Sequence, residues 1–143
     1  MAVLTDNITQ VTQAVVDLLE ADQSLGLRQV WYGDQDRIPF TPCAAVESGG
    51  IESTIGASSY WTSHEVTVFV MVYFAKITSQ SELKKECDQY AEQVRDTIHK
   101  NKSLNGLVIH GNITTMEPGV ARRGGAKLRA TRLTIRYITK TFI

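Results

Sequence analysis

The densest set of chemically capable side chains lies late in the 143-residue sequence, in GVARRGGAKLRATRLTIRYITK (119–140). It holds Arg122, Arg123, Lys127, Arg129, Arg132, Arg136 and Lys140, with no Asp or Glu. Such a run can bind phosphate, grip nucleic acid or meet an acidic protein surface. A phosphate loop needs Gly-x-x-x-x-Gly-Lys-Ser/Thr between a strand and a helix. Gly119 and Gly124 have that spacing, but Gly125 and Ala126 stand where the lysine and the hydroxyl belong. A strand pattern follows them, so no helix N-terminus faces an anion. A nucleic-acid grip would draw affinity from released counterions. These cations lie outside helical patterns, however, so no recognition helix is evident. Tyr137, the aromatic residue of the run, falls on the apolar side of the alternation, away from where bases would stack. Nucleic-acid binding through this strand is the alternative to a protein contact.

The other reactive residues are dispersed. His64, His99 and His110 do not pair at metal-ligand spacing. Gly-x-Ser-x-Gly is absent. Asp34 and Asp36 in GDQDR read as a solvated turn rather than a magnesium site or an acid–base pair. Cys43 and Cys87 form no Cys-x-x-Cys motif and read as free buried thiols. No catalytic residue, metal site or cofactor is expected, and the chain reads as non-enzymatic.

The elements that position these residues follow from periodicity. DNITQVTQAVVDLLEAD (6–22) carries Ile8, Val11, Val15, Leu18 and Leu19 at helical spacing. TSQSELKKECDQYAEQVRDTIHKN (78–101) does the same with Leu83, Cys87, Tyr90, Val94 and Ile98. QVWYG (29–33) and CAAVESG (43–49) read as short strands, separated by a segment in which Pro39 and Pro42 prevent helix. YWTSHEVTVFVMVYFAK (60–76) is a long strand, with Val66, Val68, Val70, Val72 and Phe74 on one face. Thr67, Phe69, Met71 and Tyr73 are on the other, so its C-terminal end is expected to be covered on both sides. LVIHGNITTMEPG (107–119) is a strand expected to break after Glu117 at Pro118-Gly119. LRATRLTIRYITK (128–140) alternates, with Leu133, Ile135 and Tyr137 inward and Arg132, Arg136 and Lys140 outward. Residues 48–60 and 118–127 read as flexible loops. The pattern predicts one α+β domain over 1–143, a mainly antiparallel sheet with two helices packed on one face.

Net charge is zero but unevenly placed. Residues 1–60 hold two cations against eight acids and residues 61–143 hold thirteen against seven, so the halves carry −6 and +6. Unlike surfaces on one molecule suit head-to-tail association, which closes into a ring if the rotation allows. The basic residues of 122–140 would then meet Asp34, Asp36, Glu47 or Glu52 of a neighbour, with Tyr60 and Trp61 as aromatic anchors. No apolar run reaches the ~18 residues of a membrane span. MAVLTDNITQ has no cationic stretch ahead of an apolar core, so no secretory signal is expected.

The order of an N-terminal helix, the Pro-containing RIPFTPCAAVES, the strand HEVTVFVMVYFAK, the helix SQSELKKECDQYAEQVRDTIHKN, then LNGLVIHGNITTMEPG and KLRATRLTIRYIT resembles the tail terminator and tail-completion proteins of long-tailed bacteriophages. The resemblance spans roughly residues 6–140 and lies in element order, without a diagnostic motif. It implies a small α+β structural protein of the virion, assembled in the bacterial host cytoplasm. It further implies a ring, commonly a hexamer, that caps the tail tube, contacts the tail tube protein and the head–tail connector protein, and lets DNA pass through its lumen. Another connector or tail-tube component of the same virion is a close variant.

Overall fold

The computed structural model describes residues 4–55, 61–75, 80–104 and 106–142. The order is α1 (Leu4–Ala21), a short 3-10 turn (Gln23–Leu25), β1 (Gln29–Tyr32), β2 (Cys43–Ile55), β3 (Trp61–Phe74), α2 (Gln80–Lys100), β4 (His110–Arg123) and β5 (Ala126–Phe142). The strands form one sheet in the order β1-β2-β3-β5-β4. Only the short β1 runs parallel to its neighbour; the β2–β3, β3–β5 and β4–β5 pairs are antiparallel. The α+β class is as the sequence predicts.

Both helices lie on one face. Val11, Val15 and Leu19 of α1 and Ala91, Val94 and Ile98 of α2 share a core with Val66, Val68, Val70 and Val72 of β3. Leu133, Ile135 and Tyr137 of β5 complete it. Those four β3 valines are fully buried, each worth about 1.5–3 kcal/mol relative to exposure. Asp22 ties the end of α1 to α2: its carboxylate accepts from Ser24 N at 3.1 Å and from the Thr97 hydroxyl of α2 at 2.7 Å. The Ser24 hydroxyl, which also donates to this carboxylate, and then the Thr97 bond hold the Asp22 carboxyl below the usual carboxylate range.

Two expected loops are strand in part. Residues 48–55 continue β2 and pair with β3 down to Ile55↔Thr62. The Gly49-Gly50 pair, which reads as a loop in sequence, makes a bulge instead, with the register shifting between Ser48 and Gly50. Gly49 is the extra residue, and Gly50 at φ 114° lets the ladder resume opposite Thr67. Residues 56–60 of that expected loop, Tyr60 among them, lie outside the described residues.

Nor does β4 break at Pro118. It runs on to Arg123 and turns into β5 through Gly124-Gly125, at φ 60° and 82°. Two central residues with positive φ match the twist of a tight hairpin, and glycine adopts them without a Cβ penalty. Pro118 is tolerated because β4 is the edge of the sheet, where a missing N–H costs no internal ladder bond.

Candidate functional site

The sheet face without helices carries several of the residues that the sequence singles out. Glu47 of β2 lies opposite Phe69 of β3, and Glu52 opposite Glu65. Next come Arg132, opposite Met71, and Arg136, opposite Thr67. On the edge strand, Glu117 faces Arg132. Alternation sends every second side chain of each strand to this face, and on β2 the bulge at Gly49 absorbs one position, so that Glu47 and Glu52 share the face although five residues apart. An open groove crosses this face, lined among others by Glu47, Phe69, Met71, Glu117, Gly119 and Arg132.

One end of the face is closed over by a second, smaller core. Cys43, Ala45, Tyr73, Leu128 and Ala130 are buried there beneath the segment that follows β1, with Trp31 and Ile38 packed against them. The expected two-sided cover of the C-terminal end of β3 is thus present. Burial first, then the charge of Asp34, pushes the Cys43 thiol up to about 12, which leaves it a thiol and not a nucleophile.

A three-residue clamp fastens this cover. Asp34, just after β1, accepts from the Tyr73 hydroxyl at 2.6 Å, from Arg123 Nη2 at 2.6 Å and from Gln35 N at 2.9 Å. Arg123 also donates to the Tyr73 oxygen at 3.1 Å, and its guanidinium stands 5.5 Å from the Tyr73 ring centre. Burial by itself would raise the Asp34 carboxyl, but the bonds from Arg123 and Tyr73 outweigh it and hold the group below the usual range. Burial, then the bond to Asp34, pushes the Tyr73 phenol up.

At least three of the seven cations of the basic run are thus paired within their own chain. Arg123 pairs with Asp34, Arg132 with Glu117 at 3.2 Å, and Arg136 with Glu65 at 3.2 Å. Arg132 also lies over Phe69, 5.1 Å from the ring centre. Phe69 in turn rests against Gly49, where a Cβ would come within 2.6 Å of the ring. Arg122 and Lys127 face each other across the hairpin and are exposed. Asp36, Glu47 and Glu52 are exposed as well. Arg129 is half-buried on β5. Trp61 pairs through its backbone with Phe142, and Lys140 with Ser63. The roles of Tyr73, Glu65 and Glu117 were not legible beforehand: Tyr73 looks like any strand aromatic until Asp34 is brought beside it.

Among the described residues no three His, Cys, Asp or Glu side chains are grouped to hold a metal ion, and no helix is long and apolar enough to cross a membrane.

No family model matches the sequence, and no curated protein does. The fold is similar to that of a chain in the solved virion of a native gene transfer agent particle. The TM-score is 0.57 at 14% identity, with 94% of this chain and 98% of that chain covered. The likeness is one of fold, extending over nearly the whole of both chains.

Proposed function

We propose that this chain is a structural protein of a phage-like virion, and within it a tail terminator: a non-enzymatic, ring-forming subunit that caps the tail tube and joins it to the head connector. The observation that carries the reading is the fold shared, nearly end to end, with a virion chain. The element order that resembles tail terminators agrees with it. The ring, commonly hexameric in that family, would be assembled in the host cytoplasm, with the tail tube protein and the connector protein as partners and DNA passing through the lumen.

Within this reading the ring contact uses charges left over after folding. Arg122 and Lys127 at the hairpin are the cations offered to a neighbour, and Asp36 is an acid offered in return. Arg123, Arg132 and Arg136 already have carboxylates in their own subunit, which also weakens the nucleic-acid alternative, since a paired guanidinium releases fewer counterions on binding phosphate.

The test is sedimentation velocity from micromolar to millimolar at two salt concentrations, in the presence and absence of tail tubes of the same virion. Closed oligomers that salt weakens, or rings seated on tube ends, are the expected result. Replacing Arg122 and Lys127 by Glu is expected to weaken assembly and leave the unfolding midpoint unchanged. A subunit that stays monomeric and leaves tube ends uncapped overturns the proposal.

A further inference from the structure

The two edges of the sheet are not alike. The β4 edge is blunted, with a bulge between Ile113 and Thr115 and a proline at 118, two devices that discourage pairing with another chain. The β2 edge is open. β1 covers only Cys43–Val46, Gly33 N makes a last bond to Val46 O, and the chain then leaves the sheet. From Glu47 to Ile55, β2 is paired with β3 on one side, and among the described residues nothing pairs with the other. This stretch contains no proline and no cation.

We propose that the open edge of β2 receives an extended segment of a different protein, added as a further strand, with two Lys or Arg side chains four residues apart. The spacing follows from the register. Glu47 and Glu52 stand opposite Phe69 and Glu65, which are four residues apart on β3 because the Gly49 bulge absorbs one position. A regular strand on the outer side of β2 meets the same two glutamates at the same separation. Charge sets the sign. Glu47 and Glu52 are exposed acids on this side, and Glu65, across the ladder from Glu52, is already paired with Arg136, so a cation on the open side would pair with Glu47 and Glu52 themselves. Backbone bonds supply affinity in strand addition and side chains supply selectivity.

A second copy of this chain does not fit. Two β2 edges brought together antiparallel set glutamates against glutamates. The β4 edge is obstructed by Pro118, and the arginine pair at the required spacing, Arg132 and Arg136, lies on the interior strand β5. The inference does not rest on the ring, and its experiment uses the free subunit.

The probe is a fluorescent nine-residue peptide of alternating Val and Thr with Lys at its third and seventh positions, titrated by polarisation against the full chain. The expected result is saturable binding, weakened at least tenfold by E47K/E52K. That variant should prefer the same peptide with Glu in place of Lys. N-methylating the edge-facing amides of the Lys peptide keeps its charge and is expected to cost at least tenfold, which separates strand addition from simple attraction. The proposal falls if the Lys peptide shows no saturation up to about 1 mM, or if the Lys and Glu peptides bind wild type equally. It falls too if E47K/E52K abolishes self-association of the subunit without affecting peptide, since the edge would then belong to a second copy.

Discussion

Tyr73 donates its phenolic hydrogen to Asp34 at 2.6 Å across 39 positions of sequence, and Arg123 reaches the same carboxylate from the β4–β5 hairpin at 2.6 Å. Three distant segments, the exit of β1, the end of β3 and the hairpin, are thereby joined at one anion. The joint turns the helix-free face into two regions, a closed end over Tyr73 and an open groove beside Phe69.

Tyr73→Phe removes one hydrogen bond to a charged acceptor that keeps its other donors. A loss of about 1–2 kcal/mol is expected. Asp34→Ala strands the partly buried Arg123 guanidinium and the Tyr73 hydroxyl together, so a larger loss, about 2–3 kcal/mol, is expected. Urea unfolding checks both, with lowered midpoints and unchanged slopes; a wild-type midpoint for Asp34→Ala would show that the clamp contributes nothing.

Acid is expected to destabilise the fold in two stages. Burial lowers the pKa of His64 from 6.5, and the clamp lowers that of Asp34 from 3.8. In each case the unfolded chain binds more protons than the folded one, so stability rises with pH through the window and is lost on acidification. The His64 contribution declines as pH falls below its unfolded value, and that of Asp34 only in stronger acid. His64→Gln should flatten the first decline. Asp34→Asn should reduce the second without abolishing it, because Asp22 is also lowered. A wild-type urea midpoint that stays level between about pH 7 and about pH 5 would contradict the first stage.

Two glycines of β4 make a paired test of close packing. A Cβ on Gly111 would stand 2.2 Å from Cε1 of Tyr137, whereas a Cβ on Gly119 meets nothing within 4 Å. Gly111→Ala is expected to cost about 1–3 kcal/mol through overpacking against a buried ring. Gly119→Ala is expected to be neutral or to stabilise by up to about 1 kcal/mol, since glycine in a strand interior is entropically costly. Equal melting temperatures for the two variants would remove the role given to the Tyr137 ring.

The exposed ion pairs should matter little to folding. Arg136→Ala is expected to cost about 0.5 kcal/mol or less, as exposed pairs do. Arg132→Ala loses both Glu117 and the face of Phe69, and about 1 kcal/mol is expected. Chemical denaturation of the two variants and their combination would show additivity within a few tenths of a kcal/mol, because Arg132 and Arg136 pair with different carboxylates.

Residue order alone fixes whatever depends on neighbours along the chain. The apolar stripes of α1 and α2 are set by spacings of three and four, and the inward row Leu133, Ile135 and Tyr137 of β5 by alternation; each segment states its own period and its own buried face. The α+β class followed from the order of those segments. The tertiary structure decided what depends on partners far away. Gly49-Gly50 and Pro118-Gly119 look like punctuation locally, but β3 and β5 continue the ladders past them, and the pairing energy of a neighbouring strand overrides a local turn preference. Charge was the least legible property. Asp34 and Arg123 each read as offered to a neighbour, yet they are 89 positions apart in sequence and 2.6 Å apart in space. Composition counts charges, and only the fold determines which of them face each other.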